Sequence, residues 1–96
     1  MPKPLNKLPD DQPGRLAAVG LALYGTAWRR RLAAGLSISR STLYHWIQGE
    51  RTERDVDGDL IDLLDRERDL AAARGADITA LRRKLIDHGR RDARAV

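Results

Sequence analysis

Ninety-six residues make one domain, or one domain with a short appendage, and a chain this small buries only a modest core. Hydrophobic residues at 42% and charged residues at 33% describe a globular protein, and no apolar run approaches the roughly 18 residues that a membrane span requires. With no cysteine, a disulfide framework and thiolate metal sites are excluded.

No apolar segment follows Lys3, so no signal peptide is expected and the default address is cytoplasmic. The net charge of +4 is unevenly spread. Residues 26–54 carry six Arg against two Glu, residues 55–74 three Arg against seven Asp or Glu, and residues 75–96 six Lys or Arg against three Asp. A basic block followed by an acidic one suits a protein that turns one face to a polyanion; an ordinary solvated surface is the alternative.

Residues 1–13 hold Pro2, Pro4, Pro9 and Pro13 and predict a flexible, extended arm. Asp11 or Gln12 then precedes a first helix that starts at Pro13 or Gly14, with proline tolerated in the first turn. Leu16, Val19 and Leu23 at helical spacing carry it to about residue 24. Gly25 is the expected stop and Thr26 the expected cap of a second helix, which ends at Ala34 or Gly35. Ser39 is placed to cap a third helix reaching Gln48, with Gly49 ending it and Leu43, Trp46 and Ile47 facing inward. Leu60, Leu63, Leu64 and Leu70 predict a fourth helix over residues 56–74, its acidic first turn matching the helix dipole. Gly75-Ala76-Asp77 reads as a stop and a new cap. Ile78, Leu81, Leu85 and Ile86 then mark a fifth helix, followed by a basic, frayed tail. The chain is therefore expected to be all-α, with about four helices plus a C-terminal one. Its regions are an arm over 1–13, a helical part over 14–55 that holds the basic block, C-terminal helices over 56–88 and a tail over 89–96.

The informative stretch runs from Trp28 to Gly49. Two short helices that cross steeply need a small residue where they nearly touch, and Ala33 supplies it. Four positions on, Ser37 offers a small residue for the turn, and Ile38 plugs the turn from below. Leu43 and Trp46 point back to the core, which leaves Arg40, Ser41, Tyr44 and His45 on a polar outer face.

With Trp28, Leu32-Ala33, Leu36, Ser39, Thr42-Leu43, Trp46 and Gly49, this stretch resembles the Cro/lambda-repressor-like (XRE-type) helix-turn-helix family. The likeness covers roughly residues 14–70. Ser37 departs from it, since the family usually has glycine there; a positive φ at this serine costs about 1 kcal/mol. The resemblance implies a bacterial or phage-encoded repressor that binds double-stranded DNA as a homodimer on an inverted repeat. It places the third helix in the major groove. Arg40 is then the candidate for a bidentate contact to guanine, with Ser39, Ser41, Tyr44 and His45 as further base contacts. Thr26, Arg29, Gln48, Arg51 and Arg54 would hold phosphates.

Plainer roles stand beside these. Ser39 is a helix cap first, and Tyr44 covers the core edge if it does not face DNA. Trp28 and Trp46 read as core. Consecutive Arg29, Arg30 and Arg31 diverge by about 100° each, so they cannot all meet DNA. No residue pattern supports catalysis, a cofactor, a small-molecule ligand or a metal site, and His45 and His88 stand too far apart for zinc.

Leu60, Leu64, Glu67, Ala71, Arg74, Ile78, Leu81 and Leu85 alternate in steps of four and three, a heptad seam interrupted by Glu67 and Arg74. A hairpin of the last two helices against a symmetry mate fits this pattern better than a long coiled coil, with Leu70, Ile78, Leu81 and Leu85 at the dimer interface. The alternatives are that the fifth helix folds on its own subunit, or that the whole chain is a helical interaction module such as an antitoxin or adaptor. RNA binding has no aromatic stacking surface to support it.

Overall fold

The computed structural model describes the backbone of residues 7–95 and the side chains of residues 7–90. Among the described residues the regular structure is all helical, with no strand: α1 (Gln12–Tyr24), a 3₁₀ turn (Gly25–Ala27), α2 (Trp28–Gly35), α3 (Arg40–Ile47) and α4 (Val56–Ala95). The chain divides into two compact units between Asp65 and Arg66, so α4 begins in one and ends in the other.

α1 starts slightly earlier than its apolar spacing indicates. The Asp11 carboxylate accepts the Gly14 N–H at 3.2 Å, and Pro13 sits in the first turn, where no donor is needed. Gln12 and Pro13 thus belong to the helix and not to the expected arm, whose residues 1–6 lie outside the described ones. The Arg15 side chain fastens this corner, donating to Asp57 at 2.9 Å and to the carbonyls of Asp10 at 2.6 Å and Pro9 at 3.3 Å. Gly25 takes φ +76 and ends α1 as expected, but Thr26 does not cap α2. The 3₁₀ turn carries the chain directly into α2, so the N-cap position falls to Ala27, with no side-chain hydrogen bond.

α2 and α3 have eight residues each, too short to persist alone, so their ends and buried faces decide them. Both finish in the same way. After α2, Ser37 N–H donates to Ala34 O at 3.1 Å and Ile38 N–H to Ala33 O at 3.0 Å. After α3, Gly49 donates to Trp46 O at 3.0 Å and Glu50 to His45 O at 3.1 Å. This paired closure requires a left-handed residue, supplied by Ser37 at φ +58 and by Gly49 at φ +92. Glycine takes that conformation without penalty, whereas serine carries Cβ strain of about 1 kcal/mol. At the start of α3 the expected cap is present: Ser39 Oγ accepts the Thr42 N–H at 3.0 Å.

The core of this first unit is Leu16, Trp28, Leu32, Ala33, Leu36, Leu43, Trp46, Val56, Leu60 and Leu63, with Val19, Leu23, Ile38 and Ile47 half-buried against it. Gly20 is what lets Trp28 in, because a Cβ there would lie 2.3 Å from the indole ring. Asp55 caps α4 by accepting the Gly58 N–H at 3.0 Å, and Asp57 and Asp59 in the first turn complement the dipole.

Two expectations about the C-terminal part are corrected. Residues 56–95 form one helix and not a hairpin of two, and the helix continues through the tail expected to fray, as far as Ala95. Gly75 takes no positive φ, so it makes no left-handed stop. Glycine inside a helix costs about 1 kcal/mol, which the neighbouring Ala71-Ala72-Ala73 and the Leu81-Arg82-Arg83-Lys84 run offset. No described helix is long and apolar enough to cross a membrane.

Candidate nucleic-acid interface

α3 separates two kinds of side chain by helical spacing alone. Leu43 and Trp46 are buried and Ile47 half-buried, while Arg40, Ser41, Tyr44 and His45 are exposed, Tyr44 by 60%. Next to this outer face, Arg29 from α2 reaches the same surface. Together with Arg40, Ser41, Leu43, Tyr44, Ile47 and Gln48 it lines a depression of about 600 Å³. Five residues singled out in the sequence thus share one site: Arg29, Arg40, Ser41, Tyr44 and Gln48.

The three consecutive arginines diverge as the helix geometry demands. The Arg29 guanidinium lies 4.7 Å from the centre of the Trp28 ring, and Arg31 lies 4.8 Å from that of Tyr24. Stacking on an aromatic face holds a guanidinium in place without removing its charge. Arg29 therefore brings a positioned cation to the depression.

The other candidates sit differently. Ser39 is occupied by its own helix, since its hydroxyl accepts from Thr42 N–H and donates to Thr42 Oγ1 at 2.9 Å. His45 pairs with Glu50 across the Gly49 turn, and its ring meets Tyr44 edge-on, with centroids 5.8 Å apart. Thr26 is exposed in the 3₁₀ turn. Arg51 lines a separate depression of about 340 Å³ with Gln12, Pro13, Gly49, Glu50 and Thr52. Arg54 is engaged internally: it donates to Asp59 at 2.6 Å and to Leu36 O at 3.3 Å, and lies 5.7 Å from the Trp46 ring centre. It thereby ties the turn after α2 to the start of α4. Neither this role nor the Glu50 partner of His45 has a local pattern in the sequence that would disclose it.

Leu70, Ile78, Leu81 and Leu85, expected at a dimer interface, are 55–63% exposed along α4. No protein-family model, curated protein or solved structure matches the chain. The class that the fold defines is all-helical: three helices and a long C-terminal one.

Proposed function

We propose that the chain is a sequence-specific double-stranded DNA-binding regulator of transcription that reads the major groove with α3, as a helix-turn-helix made with α2. The observation that carries this reading is the gathering of Arg29, Arg40, Ser41, Tyr44 and Gln48 around one exposed depression at α3. Arg40, in the first turn, has the planar fork that matches guanine O6 and N7. Ser41 and Tyr44 take adjoining base edges or methyl groups. His45 and Ser39 contribute less, because Glu50 and Thr42 already engage them. Arg29 and Gln48 hold phosphates, with Arg51 and Thr26 further out, and these contacts set register rather than sequence preference. Arg54 acts on DNA through the turn that it fastens.

The family resemblance adds the biological setting: a homodimeric repressor in a bacterial or phage-encoded system, acting in the cytoplasm without a cofactor. Selection of bound sequences from a random duplex pool tests the reading. The expected result is an inverted repeat with half-sites about 34 Å apart. A pool with no enrichment at low salt refutes it. A second reading, a protein-interaction module such as an antitoxin or adaptor, is favoured by the exposed apolar residues of α4 and requires no salt-sensitive affinity for DNA.

A further inference from the structure

The depression at α3 combines two kinds of surface. Arg29 and Arg40 bring guanidinium groups to it, and no carboxylate is among its lining residues. Between the cations the lining is carbon, from Leu43, Tyr44 and Ile47. Tyr44 follows Arg40 by four residues, so the two are neighbours on one face of the helix. The Tyr44 ring is also braced from the side, because His45, paired with Glu50, meets it edge-on. Phosphate contacts and hydrogen bonds to base edges account for the arginines. They give no use to an apolar surface kept open beside them.

We propose that this surface seats the 5-methyl group of a pyrimidine, at a base pair adjoining the guanine that Arg40 contacts. The inference rests on the proposed DNA reading and deepens it by naming the feature that Tyr44 recognises. Base pairs present donors and acceptors in the major groove, and the group that suits a carbon surface there is the C5-methyl of thymine. A 5-methylcytosine offers the same group. Tyr44 then determines specificity through its ring and not through its hydroxyl. Moving one methyl from water onto such a surface is worth about fourfold in affinity.

Equilibrium titrations of the full chain at one salt concentration test this. The duplex enriched from a random pool is compared with copies in which each thymine of one half-site is replaced in turn by uracil. One replacement, beside the guanine, should weaken binding about fourfold. Tyr44→Phe should keep that ratio and Tyr44→Ala should bring it close to one; the side chain is exposed, so neither change empties the core. Placing cytosine and 5-methylcytosine at the same position separates the two sources of the methyl. The methylated base should bind about fourfold better than cytosine, and the tighter of thymine and 5-methylcytosine identifies the source. Equal binding of thymine and uracil at every position, a ratio unchanged by Tyr44→Ala, or a ratio lost in Tyr44→Phe would each overturn the proposal while DNA recognition stands. Absence of binding to any duplex removes both together.

Discussion

Leucine does opposite things in the two units of this chain. Leu16, Leu32, Leu43 and Leu63 are fully enclosed in the first, while Leu70, Leu81 and Leu85 on the C-terminal part of α4 are more than half exposed. The secondary structure has different origins to match. α2 and α3, at eight residues each, exist because backbone hydrogen bonds close both C-terminal ends, because Ser39 caps the start of α3, and because Trp28, Leu32, Leu43 and Trp46 bury one face. Beyond Asp65, alanines and long straight side chains carry a helix by propensity, and its side chains from residue 68 to residue 90 are exposed. The enclosed leucines of the first unit therefore act through packing, and the exposed ones of the second through whatever binds them.

This contrast is open to direct attack. Trp46→Ala removes a large, almost fully buried side chain and should cost about 3–5 kcal/mol, read as a large fall in thermal midpoint. A variant that kept its midpoint but lost DNA binding would place Trp46 in the interface. Gly20→Val forces a branched side chain into the Trp28 ring and should cost about 1–3 kcal/mol in chemical denaturation. Ser37→Gly relieves the left-handed serine after α2 and should add about 1 kcal/mol, with DNA affinity unchanged. Thr79→Ala, on the exposed helix and away from the stripe, should change stability by no more than about 0.5 kcal/mol in the same assay. A larger loss would mean that this face is packed.

Features decided by a few neighbouring residues were legible in the sequence. Ser39 as a cap, Gly25 and Gly49 as stops, and Trp28 and Trp46 as core all follow from local chemistry and spacing. The outer face of α3 follows from the same periodicity. Gly75 misled because a glycine signals a stop only where the chain has reason to turn; here no turn forms, and the helix tolerates it. Thr26 misled because the 3₁₀ turn shifted the cap position by one residue. The placement of Arg54 was hidden for another reason. Its partners Leu36, Trp46 and Asp59 lie on three separate segments, which only the folded chain brings together.

The central claim is that the exposed face of α3 reads base sequence, and Arg40 tests it most directly. Equilibrium titrations of the intact protein and of Arg40→Ala would be run against a selected duplex and an unrelated duplex at one salt concentration. The variant should lose about 1–3 kcal/mol on the selected sequence, roughly 5- to 150-fold in affinity, and little on the unrelated one. Equal losses on both duplexes would make Arg40 a phosphate contact, and no measurable binding by the intact protein would remove DNA as the partner.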